Sequence, residues 1–256
     1  MKQAFFLILL IPSFLVLDSC ASKKDLVYFQ GVDALELTNN LNYTPLLKAD
    51  DKLSITVASL DNEAAIPFNL PVISFNPKGV FAAGTPQLQT YLIAKDGSID
   101  YPQLGQLQLA GLTRLQAQEL LKNKLKPFLV NPIVNLRLLN FKVTVLGEVK
   151  RPGTYDVNNE RITVLEALGL AGDLTVYGTR QNVLVVRETG IGKTYERIDL
   201  TSSKLFDSPV YYLQQNDVVY IEPNQPKVNS STNSSTNGII ISAVSLLLTI
   251  ISITLR

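Results

Sequence analysis

Two apolar runs, one at each end of the chain, constrain the fold more than any other feature of the sequence. The first covers residues 4–17 and is interrupted only by Pro12 and Ser13. The second covers residues 239–255 and contains no charged residue. Because these runs hold much of the apolar surplus, the globular part must come from the roughly 200 residues between them, enough for one or two modest domains.

The N-terminal run predicts a secretion signal over residues 1–19. Its fourteen residues would form a helix about 21 Å long, too short for a hydrocarbon core of roughly 30 Å. Lys2 precedes the run, and Leu17-Asp18-Ser19-Cys20 follows it, where a signal peptide is cleaved. This segment resembles a bacterial lipobox, whose cysteine becomes the lipidated first residue. We therefore expect lipidation of Cys20; the alternative is a buried structural cysteine in an ordinary signal sequence.

The C-terminal run predicts a membrane helix with two unlike faces. Its seventeen residues make a helix of about 26 Å, at the short limit for a spanning helix. Small and hydroxyl residues recur at steps of three and four, so they share one stripe of the helix. The stripe consists of Gly238, Ser242, Ser245, Thr249 and Ser252. It suits close packing between membrane helices or the lining of a water-filled channel, whereas a lone anchor would leave it unexplained.

The composition excludes several classes of chemistry. The 256 residues include 23 Lys+Arg, 22 Asp+Glu, no His and a single Cys. This balance gives no basic surface for nucleic acid, so nucleic acid is not an expected partner. Without His the chain lacks Ser-His-Asp and Cys-His constellations and the imidazole ligands of most catalytic zinc sites. We therefore expect no catalytic residues, no metal and no cofactor.

The central part of the chain predicts an α+β fold in which strands outnumber helices. Apolar residues alternate with polar ones, or form short buried runs, at five places. These places are residues 53–57, 133–138, 141–145, 183–186 and 218–221. Two capping boxes, Thr113 with Gln116 and Thr163 with Glu166, predict helices that run to Leu125 and stop at Gly172.

Residues that tolerate a left-handed backbone mark several turns. Asp96-Gly97 predicts a type I′ hairpin turn, in which both residues have positive φ. Residues 47–55 and 213–221 are similar, because in each a polar turn with adjacent Asn or Asp leads into a strand. This similarity is either an internal echo or a coincidence of two unrelated turns. Residues 190–194 match only the end of a phosphate-binding loop, so a hairpin turn is expected there.

In this order, the motifs resemble those of the Wza-like polysaccharide export outer-membrane lipoproteins. The matching segments of the export domain are residues 47–53, 96–105, 109–113 and 131–134. The segments that resemble an SLBB domain, a β-grasp module, are residues 143–149, 151–155, 163–168 and 171–172. The chain departs from the family pattern at Asp50, Asn216 and Asp173, where glycine is usual, and by its single SLBB domain.

Together with the motifs, the resemblance implies a division of the chain into six parts. These are a signal peptide (1–19), a lipidated N-terminal segment (20–42), an export domain (43–138), an SLBB β-grasp domain (139–223), a Ser/Thr/Asn-rich linker (224–237) and a single C-terminal transmembrane helix (238–256). The composition of the linker suggests a flexible tether.

The resemblance also implies a function and partners. It implies a homo-oligomeric ring in the outer membrane, anchored by lipid, with the globular domains in the periplasm. Capsular polysaccharide or exopolysaccharide would pass through a channel lined by the C-terminal helices, handed over by an inner-membrane polysaccharide co-polymerase. This favours the channel interpretation of the stripe. The alternative function is a lipid-anchored periplasmic glycan-binding module that transports nothing.

Overall fold

The computed structural model describes residues 23–31, 43–71, 89–190, 192–233, 242–243, 245–246 and 249–250. The described strands are β1 (Lys52–Ala58), β2 (Tyr91–Leu92), β3 (Ser98–Tyr101), β4 (Gly105–Gln108), β5 (Ile133–Leu138), β6 (Lys142–Gly147), β7 (Gly153–Asp156), β8 (Ile162–Thr163), β9 (Val183–Thr189), β10 (Gly192–Ile198), β11 (Tyr212–Leu213) and β12 (Val218–Ile221). The described α-helices are α1 (Asn62–Ala65), α2 (Arg114–Leu125), α3 (Val164–Leu170) and α4 (Gln225–Asn233). The mixture of helices and strands is of the predicted α+β kind.

The first hydrophobic core lies between a three-stranded sheet and α2. The strand order is β2-β1-β5, and β1 is antiparallel to both neighbours. Leu53, Ile55 and Val57 of β1 point into this core, as their alternation predicts. One face of α2 covers the sheet with residues spaced by four, and these are Ala117, Leu121 and Leu125.

The second hydrophobic core is formed by a five-stranded sheet and α3. The strand order is β10-β9-β12-β6-β7, with β12 parallel to β6 and antiparallel to β9. The apolar side chains of β6, β9 and β12 meet those of α3 in one cluster. The predicted strands at residues 183–186 and 218–221 are confirmed. The glycines of residues 190–194 lie where β9 turns into β10, so the predicted hairpin is also confirmed.

Both predicted capping boxes are present. The Gln116 backbone amide donates to Thr113 Oγ1 at 3.2 Å, and the Thr113 amide donates to Gln116 Oε1 at 2.9 Å. The Thr163 and Glu166 pair makes the same reciprocal bonds at 3.1 and 2.7 Å. Each box satisfies amides that the first helical turn leaves unpaired, which is why the starts of α2 and α3 are readable from the sequence.

The turn at Asp96-Gly97 exists, but its predicted type I′ geometry is wrong. Gly97 has a φ of 86°, whereas Asp96 is not among the described residues with positive φ. The Ala94 amide donates to the Ser98 carbonyl at 2.8 Å, and the Gly97 amide donates to Ala94 at 2.9 Å. The loop thus has three residues and only its last is left-handed, an arrangement that needs one glycine. Asp96 instead accepts hydrogen bonds from Ser98.

The predicted C-terminal transmembrane helix is wrong. Among the described residues, no helix combines the length and the apolar character that crossing a bilayer requires. The longest described helix, α2, has 12 residues and belongs to the first core. The C-terminal run contributes three described pairs of helical residues, 242–243, 245–246 and 249–250. Two properties of the run weaken it as a span: it is shorter than the usual 20 or so residues, and hydroxyl side chains interrupt it every third or fourth position.

The described part of the linker is a helix and not an extended tether. The Asn224 carbonyl and side chain accept hydrogen bonds from the Lys227 amide, which starts α4. Pro226 lies in the first turn, where its missing amide hydrogen costs nothing. Ser230 and Ser231 donate their hydroxyls to backbone carbonyls one turn earlier. Local capping therefore overrides the polar composition from which a tether was predicted.

Candidate functional site at the junction of the two cores

Two turns of the same geometry meet where the two cores join. Asp50 and Asn216, one in each turn, have φ values of 67° and 65°. Asp and Asn adopt this left-handed conformation more readily than other side chains, which explains why they replace glycine here. The sequence similarity between residues 47–55 and 213–221 is therefore a similarity of structure, and not a coincidence.

An aspartate closes each turn with the same hydrogen bond. Asp51 Oδ2 accepts from the Lys48 amide at 2.9 Å, and Asp217 Oδ2 accepts from the Gln214 amide at 2.8 Å. The two turns touch at equivalent positions, because Lys48 Nζ donates to Gln214 Oε1 at 2.5 Å. This contact joins residues 166 positions apart in the chain and links the first core to the second.

The two aspartates differ in how their charge is balanced. Asp217 is fully buried and is held by the Arg187 guanidinium, whose Nη2 lies 2.7 Å from Oδ2 and whose Nε lies 3.1 Å from both oxygens. Asp51 is buried as well, but its Oδ1 accepts no hydrogen bond from any described residue. Burial raises the pKa of Asp51 to about 6, although the hydrogen bond from the Lys48 amide acts in the opposite direction. Burial also lowers the pKa of Lys48.

Two adjoining cavities form a cleft beside these turns. Their volumes are about 600 and 530 Å³, and they share Thr44, Pro45, Asn159 and Glu160. The larger has an apolar wall contributed by both cores, with Leu46, Leu138, Leu139 and Phe141. The smaller is lined by polar and aromatic side chains, including Tyr43, Arg161, Thr163, Glu166 and Tyr212.

Charged and aromatic contacts bridge this cleft. Arg114, at the start of α2, forms an ion pair with Glu160 across it, with 2.9 Å between Nε and Oε1. The Tyr43 ring stacks in parallel on Tyr212, with 5.0 Å between centroids, and the Arg161 guanidinium lies 5.2 Å from the Tyr212 centroid. Amide, hydroxyl and guanidinium groups beside an apolar wall can hydrogen-bond a polyhydroxylated ligand and cover its apolar faces. Within the described ranges, no group of three or more His, Cys, Asp or Glu could hold a metal ion.

Comparisons with known proteins match the two cores in the same order. The model for the polysaccharide biosynthesis/export protein family matches residues 39–139, and the model for the SLBB domain matches residues 141–221. Residues 39–139 therefore form a domain of the polysaccharide biosynthesis/export family. The first core of the chain is the export domain and the second core is the SLBB domain, and the cleft lies between them. The description of this family names biosynthesis and export and does not name an enzymatic reaction.

Two relatives carry the name EPS I polysaccharide export outer membrane protein EpsA. The protein of Ralstonia solanacearum is 28% identical over 147 residues, which are 56% of this chain and 38% of the relative. That of Ralstonia nicotianae is 29% identical over 108 residues, which are 41% of this chain and 28% of the relative. The chain therefore spans less than half the length of these curated relatives. The names of both relatives place them in the outer membrane, in agreement with the location predicted for this chain.

The residues predicted as functional lie away from the cleft or outside the described part of the chain. Cys20, Gly238 and Ser252 lie outside the described residues. Ser242, Ser245 and Thr249 are exposed and helical, and Thr249 Oγ1 donates to the Ser245 carbonyl at 2.8 Å. The role of these residues in lining a pore stays a prediction.

Sequence reasoning missed the cleft between the two cores. Tyr43, Arg161 and Tyr212 carry no motif, and Tyr43 reaches Tyr212 only because the export and SLBB domains pack together. One signal was available, since the similarity of residues 47–55 to residues 213–221 marks the two turns that touch at the junction.

Replacing Asp51 with Asn is expected to remove a pH dependence of folding. The pKa of Asp51 rises from 3.8 to about 6 on folding, so the folded state binds this proton more tightly. The contribution of Asp51 to stability is therefore greatest below about pH 4 and is lost as the pH rises through about 6. Asn can still accept the hydrogen bond from the Lys48 amide. The free energy of unfolding of D51N minus that of the wild type should be larger at pH 7.5 than at pH 4.5, measured by urea unfolding. An equal difference at both pH values contradicts the prediction.

Proposed function

We propose that the chain is a lipid-anchored subunit of an outer-membrane exporter of capsular polysaccharide or exopolysaccharide. The main support is the order of export domain and SLBB domain in a chain whose two domains are joined by the partly buried hydrogen bond between Lys48 and Gln214. The name of the EpsA relatives, polysaccharide export outer membrane protein, agrees with this role. In the proposal the lipid is attached at Cys20, the domains at residues 43–138 and 139–223 lie in the periplasm, and the chain performs no catalysis.

We also propose that several copies assemble into a ring around the polymer. A long hydrophilic polymer needs an enclosed path, and a closed rotational assembly of identical subunits provides one. An inner-membrane polysaccharide co-polymerase delivers the polymer to the ring. Extraction of the full chain in detergent is expected to give a closed oligomer of defined mass, measured by light scattering and seen as rings by electron microscopy. A monomer under all extraction conditions contradicts the ring.

Deletion of the gene in its own bacterium tests the export function. The deletion strain is expected to lose surface polysaccharide, measured by extraction and sugar analysis, and to regain it with the wild-type gene. The same strain carrying C20A should regain less, because the unlipidated chain is not held at the membrane. Unchanged surface polysaccharide in the deletion strain, with no second copy of the gene present, contradicts export.

The cleft favours a second candidate, a glycan-binding module without transport. Its apolar wall and its amide, hydroxyl and guanidinium groups suit sugars. This candidate predicts that the purified chain binds the polysaccharide in calorimetry, that R161A weakens the binding, and that the deletion strain exports normally. Loss of export in the deletion strain decides for the exporter, whether or not the cleft binds sugar.

A further inference from the structure

The first described segment of the chain is docked on the SLBB domain. Residues 23–31 are here called the N-terminal strap. The end of the strap lies beside residues 200–202 and is hydrogen-bonded to them. The Phe29 amide donates to the Leu200 carbonyl at 3.2 Å, and the Gln30 amide donates to the Thr201 carbonyl at 2.6 Å. Phe29 has a φ of 57°, an uncommon conformation for an aromatic residue, so the docked path is a specific one.

Side chains fix the strap to a loop of the SLBB domain, residues 173–180, here called the clamp loop. Tyr28 Oη donates to Asp173 Oδ1 at 2.6 Å, and the buried Arg180 guanidinium lies 5.5 Å from the Tyr28 centroid. The Phe29 ring stacks on Phe206 with 5.6 Å between centroids. These contacts combine a hydrogen bond to a charged acceptor with a cation–π pair, which makes the docking stable.

The clamp loop also holds the start of α4. The Asn224 amide donates to the Tyr177 carbonyl at 2.7 Å, and the Asn224 side chain donates to the Val176 carbonyl at 3.4 Å. Lys227 Nζ lies 5.2 Å from the Tyr177 centroid. The strap and α4 therefore both leave the SLBB domain beside one loop.

The clamp loop lies at the end of the SLBB sheet opposite to the export domain. β6 and β12 are parallel, and at their amino ends the Asn216 amide of the junction donates to the Lys142 carbonyl at 2.9 Å. At their carboxyl ends, two backbone carbonyls accept hydrogen bonds from the clamp loop. The Thr175 amide donates to the Glu148 carbonyl at 3.0 Å, and the Thr179 amide donates to the Glu222 carbonyl at 2.9 Å.

The surface around the clamp loop combines exposed apolar side chains with lysines. Its exposed apolar side chains are Leu26, Val27, Val176, Tyr177 and Val228. Lys24 on the strap and Lys227 on α4 add positive charge. This charge is partly balanced, because the hydrogen bonds that Asp25 and Asp173 accept from Gln181 and Tyr28 come from neutral groups, and Lys227 Nζ lies 3.9 Å from Glu148 Oε1. Exposed apolar groups next to basic ones are typical of surfaces that enter the headgroup region of a bilayer.

We propose that the face formed by the N-terminal strap, the clamp loop and the start of α4 lies against a phospholipid surface. The proposal rests on the lipidation of Cys20 proposed above. Cys20 precedes Lys23 by three positions, which an extended chain covers in at most about 11 Å. A lipid at Cys20 therefore holds the strap at the bilayer, and the strap presents the exposed side chains of the clamp loop to it.

A single introduced tryptophan tests the contact, because the chain contains no Trp. Val176 on the clamp loop is 68% exposed, and Val130 in the export domain is a matched control at 69%. Lipidated full chains carrying V176W or V130W are bound to vesicles of phosphatidylethanolamine and phosphatidylglycerol with brominated acyl chains. We expect V176W to shift its emission to the blue and to lose fluorescence by bromine quenching, and V130W to do neither. An unquenched V176W on vesicle-bound protein, or equal quenching of both, overturns the proposal.

Releasing the strap supplies a second measurement. Y28A combined with V176W removes the hydrogen bond to Asp173 and the cation–π contact with Arg180. The vesicle-bound fraction should stay the same, because the lipid remains, whereas quenching of the tryptophan should fall. Unchanged quenching on a chain whose circular dichroism is native overturns the role of the strap. These results do not depend on transport, so a deletion strain that still exports polysaccharide would refute the proposed function and leave the lipid contact standing.

Discussion

Replacing Asp217 with Asn is expected to lower the free energy of unfolding by about 3–5 kcal/mol, the usual cost of removing one partner from a buried ion pair. The Asp217 carboxylate is fully buried and receives three guanidinium contacts from Arg187. Without its charge, the largely buried Arg187 cation loses its counter-ion inside the protein. Urea unfolding at pH 7.5, followed by circular dichroism, measures the loss.

The matched turn of the export domain provides the control. D51N makes the same substitution at the equivalent position, where no guanidinium pairs with the carboxylate, so no comparable loss is expected. The double variant R187M/D217N removes both charges of this buried pair, and a large part of the lost stability should return. Equal destabilisation by D51N and D217N, or no recovery in the double variant, contradicts the role assigned to the ion pair.

Replacing Gly147 with Ala is expected to destabilise the SLBB domain by about 3 kcal/mol or more, from left-handed strain and a lost buried hydrogen bond together. Gly147 has a φ of 91°, and a Cβ there would overlap the Ile221 carbonyl oxygen and lie 2.9 Å from its carbon. This carbonyl accepts the hydrogen bond from the Glu148 amide at 3.1 Å. The substitution would therefore push apart the parallel strands β6 and β12. Thermal and urea unfolding measure the effect.

Gly153 is the matched control for this substitution. It begins the neighbouring strand β7, it is absent from the described residues with positive φ, and the nearest atom to a Cβ there is 4.0 Å away. G153A should change the free energy of unfolding by about 0.5 kcal/mol or less, the range of ordinary surface substitutions. If both variants lose the same stability, the close approach of Gly147 to Ile221 is not what requires glycine.

Local patterns explain which parts of the fold were predictable. The alternation of Leu53, Ile55 and Val57 specifies one buried strand face, and the Thr113 and Thr163 boxes specify helix starts; each signal acts within a few residues. The cleft has no such signal, because Tyr43 and Tyr212 come together only through long-range packing. The turns at Asp50 and Asn216 were only partly predictable. The sequence indicated their left-handed conformation, but it did not indicate that the two turns contact each other.

The C-terminal run shows where a pattern was over-interpreted. The steps of three and four between Ser242, Ser245 and Thr249 do correspond to helical residues. Helical periodicity says how side chains are arranged around an axis, and it says nothing about whether the apolar length suffices for a bilayer. The length and the striped pattern of the run supplied the expectation of a span, and the resemblance to export lipoproteins favoured a channel; the described helices do not support the span.

The central position of β12 has a consequence for the order of folding. It is the last strand of the SLBB sheet in the chain, and it separates β6 and β7 from β9 and β10. The sheet therefore cannot close until the chain has been made to residue 221, and such non-local closure is slow. The N-terminal strap docks on Leu200 and Thr201, within this domain. The strap is thus synthesised before the domain on which it docks, and it can be fixed only after the chain has been made through Thr201.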